Sequence, residues 1–205
     1  MGSSDSELKN YGFKSSDLSK YLYINQGGVN SQNNNDDKQN YRLVNDAMRI
    51  ANFQPALIKT VWSIVAAIIH LGNVGFISKE TDQNNNSGAS DKFDQVEIER
   101  KSLEAVKLIS KLIEVDEDEL KKVLTSRQFA TGNGEIVTKL HSNKDALYAK
   151  DAFAKAMYEH LFTFIFSRVN EILDIKHTIQ AGYGSKNTVI GVLDIYGFEV
   201  FEVNG

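Results

Sequence analysis

The chain contains no cysteine, one proline and one tryptophan among its 205 residues. Without cysteine there are no disulfides and no thiolate metal sites, and the redox compartment stays open, because a cytosolic chain needs neither. The single proline, Pro55, leaves long stretches free to run as helix, since no other ring interrupts the hydrogen-bond ladder. Long apolar runs are also missing: the most apolar one, Val61 to Leu71, is too short to span a bilayer and contains Ser63 and His70. The first twenty residues are polar and lack the apolar stretch of a secretory signal. A net charge of −4 excludes nucleic-acid binding by bulk charge. What is present is an ordinary globular composition, 41% apolar and 24% charged, at a length that suits one domain or part of a larger one. Met1-Gly2-Ser3-Ser4-Asp5-Ser6 fits the loose N-myristoylation pattern, which a Ser-rich start also meets by chance.

Two polar tracts stand out, NSQNNNDDKQN at 30–40 and DQNNNSGASD at 82–91. Neither can bury apolar surface, so both are expected as exposed loops. A short helix is predicted from Asp46 to Phe53. A longer one starts at Pro55, where a missing N–H does no harm, and carries Leu57, Ile58, Val61, Ile64, Val65, Ile68 and Leu71 at helical spacing. Small Ala66 and Ala67 on its flank imply burial on most sides, and Gly72-Asn73 gives a stop. A third helix is expected over Val96 to Ile113, and a fourth capped by Asp116 with Glu119 completing a capping box. Ser126 to Leu140 reads as two extended arms around the turn Thr131-Gly132-Asn133-Gly134. A long helix follows from about Asp145 to Asp174, with Phe153, Ala156, Met157, Leu161, Phe164, Ile165, Val169 and Ile172 recurring at threes and fours.

The ending differs in kind. Thr188 to Leu193 reads as a strand apolar on both faces, as in a sheet covered on both sides. No second strand of that sort is visible, so its neighbours are expected from polypeptide outside these residues. The strand runs into Asp194-Ile195-Tyr196-Gly197-Phe198-Glu199. A carboxylate at a strand tip can help hold a magnesium ion, and a glycine just beyond lets backbone approach a phosphate. A strand followed by aspartate serves equally as an ordinary turn, so on these residues alone both readings stand. His70, His141, His160 and His177 show no metal-ligand spacing, His70 being expected to cap or pack at its helix end, and no Ser/His/Asp signature of a hydrolase occurs.

The complete string Asp194-Ile195-Tyr196-Gly197-Phe198-Glu199 resembles the switch II motif of myosin motors, D-I-x-G-F-E, and Phe201 to Asn204 resembles its F-x-x-N continuation. Upstream, Tyr21-Leu22-Tyr23-Ile24-Asn25-Gln26-Gly27, His70-Leu71-Gly72-Asn73 and Tyr148-Ala149-Lys150-Asp151-Ala152-Phe153-Ala154-Lys155 resemble further segments of the same family in the same order, from about Tyr21 to Asn204. Lys150 stands where the family usually has arginine. The wording is most similar to class I myosins.

That resemblance implies a fold that is mainly α with minor β, part of a P-loop NTPase-type motor. It divides the chain into an N-terminal polar segment with a helix remnant at 1–20, a helical upper 50-kDa subdomain at 21–186, and a transducer strand with switch II at 187–205. It implies that Asp194 sits in the outer shell of the magnesium ion of ATP, that the Gly197 amide bonds the terminal phosphate, and that Glu199 pairs with a switch I arginine. It implies an actin-contacting role for the arms from Arg127 to Leu140. Within them Glu135, sixteen residues before Asp151, falls at a position the family keeps acidic or phosphorylatable; by spacing alone it is a solvated turn residue. The phosphate-binding loop G-x-x-x-x-G-K-[ST] is absent, and Gly182-Tyr183-Gly184-Ser185-Lys186 does not satisfy it. Switch I is absent too. The expectation is therefore a portion of an actin-based, ATP-driven motor, inactive by itself. Its partners would be the actin filament and the remainder of the motor, in the cytoplasm. Membrane contact would come only through a tail not present here. The alternative expectation is a non-catalytic actin-binding module or a truncated product.

Overall fold

The computed structural model describes residues 3–13, 18–26, 34–79, 95–173 and the single residues Gly191, Leu193 and Ile195. The chain divides into two units, Met1–Ile172 and Leu173–Gly205. In the second unit Gly191, Leu193 and Ile195 are exposed and in irregular backbone, and its other residues past Leu173 lie outside the described ones.

The first unit is built around one helix. Helix α1 covers Asp5–Asn10, α2 Leu22–Asn25, α3 Asn34–Ile50 and α4 Pro55–Leu71. Helix α5 covers Leu103–Ile113, α6 Glu117–Thr125 and α7 Asn143–Leu173. Strands β1 (Phe76–Lys79) and β2 (Gln95–Ile98) form one antiparallel pair, and β3 (Ser126–Ala130) and β4 (Ile136–Leu140) another. Among the described residues the architecture is thus mainly α with two small antiparallel sheets. Helix α4 feeds all the apolar clusters: Ala67 and Leu71 meet Val106, Ile109, Leu120 and Leu124; Ile58 and Val61 meet Met48, Phe53 and Leu161; Ala66 meets Leu8, Phe13 and Tyr21. Its apolar residues surround the axis because partners press on it from several sides. The expected boundaries of α4 and its burial are both borne out.

Local chemistry explains most helix ends. Ser4 and Glu7 form a reciprocal capping box on α1. The same helix ends in a Schellman turn: Gly12 takes φ +79°, the Phe13 N–H donates to the Leu8 carbonyl at 2.9 Å, and the Gly12 N–H donates to that of Lys9 at 3.0 Å. Helix α3 ends alike, with Asn52 at φ 54° and the Phe53 N–H donating to the Met48 carbonyl at 2.9 Å. Asp116 caps α6 by accepting from the Asp118 and Glu119 amides at 2.9 and 3.0 Å, the forward half of the expected box. Ser142 caps α7, so that helix begins at Asn143 rather than at Asp145.

Two expectations fail. The tract at 30–40 is not all loop: from Asn34 onward it is the first part of α3, which replaces the short helix placed at Asp46 to Phe53. Asparagine is a poor helix former, but at exposed positions the cost is a few tenths of a kcal/mol per residue. Packing of the later turns outweighs it: Tyr41 lies against Trp62 with ring centroids 4.8 Å apart, and Met48 is buried. The helix placed at Val96 to Ile113 is a strand, a 3-10 turn (Arg100–Ser102) and then α5. Val96, Glu97 and Ile98 alternate inward and outward because β1 offers a partner, with Phe76 opposite Ile98 and Ser78 opposite Val96. The tract at 82–91 lies outside the described residues.

Candidate functional site

Three of the motif segments, those beginning at Tyr21, His70 and Tyr148, converge at the C-terminal end of α4. Asn73 holds the chain on either side of Tyr21: its Oδ1 accepts from the Leu22 N–H at 3.0 Å, and its Nδ2 donates to the Lys20 carbonyl at 2.8 Å. The Tyr23 hydroxyl donates to the Asp151 carboxylate at 2.5 Å across 128 residues of sequence. Burial, helped by that carboxylate, lifts the Tyr23 hydroxyl well above the ordinary tyrosine range, so it stays a neutral donor. Lys150 is buried beside it. Its Nζ donates to the carbonyls of Gly72 and Val74 at 3.4 and 3.3 Å, lies 3.9 Å from Asp151 and 5.6 Å above the Tyr23 ring. Burial pulls the Lys150 ammonium below its usual value, and Asp151 opposes that fall. The residues carrying the family likeness here are therefore a structural clamp closing the end of α4.

Gly72 is part of the clamp because nothing larger fits. A Cβ there would lie 2.7 Å from the Tyr23 ring. Gly72→Ala is expected to cost about 1–3 kcal/mol by overpacking, although alanine normally favours helical backbone. Urea unfolding followed by circular dichroism reads this directly, and Tyr23→Leu in the same background should recover part of the loss.

His70 packs rather than ligates. Its ring stacks on Phe13 with centroids 4.5 Å apart, and its Nε2–H donates to the Tyr11 carbonyl at 2.9 Å. Burial holds the imidazole below its ordinary value, with the Tyr11 carbonyl pulling the other way. Below about pH 6.5 the unfolded histidine binds a proton that the folded one refuses. Its contribution is thus fully present above that pH and declines as pH falls towards the folded value. The thermal midpoint should drop between about pH 7.5 and 5.5, and His70→Gln, less stable overall, should flatten that drop.

The second candidate is the β3–β4 ribbon. Register places Arg127 opposite Lys139, Phe129 opposite Val137 and Ala130 opposite Ile136. Its root is tied down: the His141 N–H donates to the Thr125 carbonyl and the Ser126 hydroxyl to the Lys122 carbonyl, each at 2.8 Å. Beyond the root the ribbon is open to solvent, with Phe129 46% and Ile136 72% exposed. Strand alternation puts Arg127, Phe129, Val137 and Lys139 on one face, two cations beside an apolar pair. The tip is closed by the Thr131 N–H donating to the Glu135 carbonyl at 2.8 Å and the Gly134 N–H to that of Thr131 at 2.9 Å. Arg127 and Glu135 therefore share the ribbon without meeting: four residues, about 13 Å at ordinary strand rise, separate their levels. An exposed two-stranded ribbon carrying apolar residues gains little by itself in water and suits a contact surface.

The remaining expected site residues, Asp194, Gly197 and Glu199, lie outside the described residues. Among the described residues no group of three or more His, Asp or Glu side chains is placed to hold a metal ion, and no helix is long and apolar enough to cross a membrane.

Comparison with known proteins decides the family. The chain matches the myosin head (motor domain) family over residues 1–205. This chain belongs to the myosin head family. It is 39% identical over 204 residues to unconventional myosin-Id of Homo sapiens, covering 100% of this chain and 18% of that protein. It is 37% identical over 204 residues to unconventional myosin ID of Drosophila melanogaster, covering 99% of this chain and 18% of that protein. It is 36% identical over 207 residues to unconventional myosin-Ig of Mus musculus, covering 99% and 19%. The class I-like resemblance is thereby borne out. This myosin head sequence spans under a fifth of the length of those relatives. The clamp could have been sought from the sequence by asking what Asn73, just past the helix stop, and Lys150, a cation flanked by Ala149, Ala152 and Phe153, would bond to. The box Ser4-x-x-Glu7 was a plain start signal for α1, and it would have placed the helix remnant expected within 1–20.

Proposed function

We propose that this chain is the upper portion of a class I-like, actin-based, ATP-driven motor and that its β3–β4 ribbon forms part of the actin-contacting surface. The observation that carries this reading is the ribbon itself, anchored at its root, exposed along its length and tipped by Glu135. A fixed carboxylate there supplies negative charge of the kind that phosphorylation otherwise adds. Helix α7 supports the same reading. Among its described side chains Leu161 is the last buried one, and beyond it Phe162 and Phe166 stack on each other at 6.4 Å while standing 57% and 58% exposed. A turn with exposed aromatics on several sides, as at Phe162, Phe164 and Phe166, belongs inside a larger assembly, here the remainder of the motor polypeptide.

In that intact motor, Asp194 and Gly197 would serve the magnesium ion and terminal phosphate of ATP, and Glu199 would pair with a switch I arginine supplied by polypeptide beyond this sequence. The motor works in the cytoplasm on actin filaments. This sequence holds neither the phosphate-binding loop nor switch I. The 205-residue chain alone therefore acts as an actin-binding module without catalysis. Co-sedimentation with filaments, combined with a phosphate-release assay, tests both halves. The chain should pellet and should release no phosphate above background. Magnesium-dependent, actin-stimulated turnover by the chain alone would overturn the second half, and absence from the pellet the first.

A further inference from the structure

Between the start of α1 and one face of α3 lies a polar cavity of about 530 Å³, whose lining includes Ser4 and Glu7 on one side and Lys38, Tyr41, Arg42 and Arg49 on the other. Its size is that of a small-molecule site. The charges within it are not balanced. Asp46, in the same wall, is engaged by Arg49 at 2.6 Å. Glu7 accepts from the Ser4 N–H and hydroxyl at 3.0 and 2.9 Å and from the Tyr41 hydroxyl at 3.4 Å. The bond from the Ser4 backbone, foremost, keeps Glu7 ionised by drawing its pKa down. Lys38 and Arg42 are left facing the cavity, and no carboxylate among the described residues is bonded to them.

Lys38 and Arg42 stand one helical turn apart, where like charges repel and destabilise the helix. Arg49 continues the same face. The buried Asn45 between them is already committed to the Tyr41 carbonyl at 2.7 Å and the Trp62 indole N–H at 3.1 Å, which holds the wall in place. A repulsive pair of cations on a rigid wall beside a polar cavity is matched by an anion that bridges both. Their separation of about 6 Å, one helical turn, suits two neighbouring phosphate groups, and the arginine fork binds one of them in bidentate fashion.

We propose that this cavity binds a small molecule bearing adjacent phosphates, held by Lys38 and Arg42. The site shares no residue with the ribbon, and it stands whether or not the motor reading does. The chemistry is shared by soluble inositol phosphates and by phosphoinositide headgroups, so the test has two arms. Isothermal titration of the 205-residue chain with inositol trisphosphate probes the soluble source. Flotation with phosphatidylcholine vesicles, with and without phosphatidylinositol bisphosphate, probes the lipid source. The double variant Lys38→Ala/Arg42→Ala removes exposed side chains and should keep the wild-type circular dichroism. Lys107→Ala on α5 is the matched control.

Saturable binding in the first arm, weakened at least about tenfold by the double variant and unchanged by the control, supports the site with a soluble ligand, tenfold being about 1.4 kcal/mol. Binding confined to phosphoinositide vesicles, with the same dependence on Lys38 and Arg42, supports it with a lipid one. No binding in either arm, or binding the double variant retains, overturns it. Equal binding to phosphatidylserine vesicles also overturns it, since that is attraction by bulk charge.

Discussion

Replacing Lys150 with alanine is expected to lower the unfolding free energy of the chain by about 3 kcal/mol, through loss of a buried cation that several groups depend on. The carbonyls of Gly72 and Val74 stand just past the C-terminal end of α4, where backbone acceptors lack helical partners and the helix dipole is negative. The ammonium of Lys150 satisfies both. Its alkyl stem fills space in a residue only 6% exposed. Alanine removes stem, charge and donors together. Asp151 would be left with the Tyr23 hydroxyl at 2.5 Å and no nearby cation from this clamp.

Two further substitutions separate the causes. Lys150→Met keeps the stem and should be spared the packing share of the loss, while still orphaning the carbonyls. Lys150→Arg keeps charge and donors and should cost under about 1.5 kcal/mol, the range of volume-conserving changes. For a chain of this length, 3 kcal/mol corresponds to a fall in thermal midpoint of about 6–12 °C. Urea titration of the four proteins settles the order. If Lys150→Ala and wild type unfolded at the same urea concentration, the clamp would not be holding α4.

Glu135→Lys is expected to weaken pelleting with actin filaments by roughly tenfold, about 1.4 kcal/mol. The substitution changes the tip by two charges and turns attraction for a basic patch into repulsion. The turn itself should survive, because it is held through the Glu135 carbonyl, which accepts from the Thr131 amide at 2.8 Å and hydroxyl at 3.2 Å. The Glu135 side chain is not what closes it. Any change in binding therefore reports the surface and not the fold. Glu135→Asp should remain near wild type and Glu135→Gln should fall between. Because the charge is exposed, raising salt should narrow the gap, since screening acts over about 8 Å at physiological ionic strength. Equal pelleting of the wild type and the Glu135→Lys variant at low salt would remove the ribbon tip from the contact surface.

Legibility followed sequence distance. Helices α4, α6 and α7 could be read because their apolar periodicity and their caps are local, as with Asp116 and the amides two and three residues on. The β3–β4 ribbon could be read because a short turn joins its arms. The β1–β2 pair could not: Val96, Glu97 and Ile98 sit beside a helix, and only a partner some twenty residues away makes their alternation matter. Helix α3 escaped for the opposite reason. Its first turns are locally poor, and the contact of Tyr41 with Trp62 on a different helix supports them.

By itself the amino-acid order determined the family, the helical segments bounded by their own caps, and the short hairpin, because each depends on residues within a few positions of one another. Only the tertiary structure decided that Tyr23, Gly72, Lys150 and Asp151 form one clamp, and that Lys38 and Arg42 overlook a cavity shared with Ser4 and Glu7. Those groups are brought together by burial of apolar surface around α4, and neither spacing nor composition encodes which distant backbone carbonyl a buried ammonium will find.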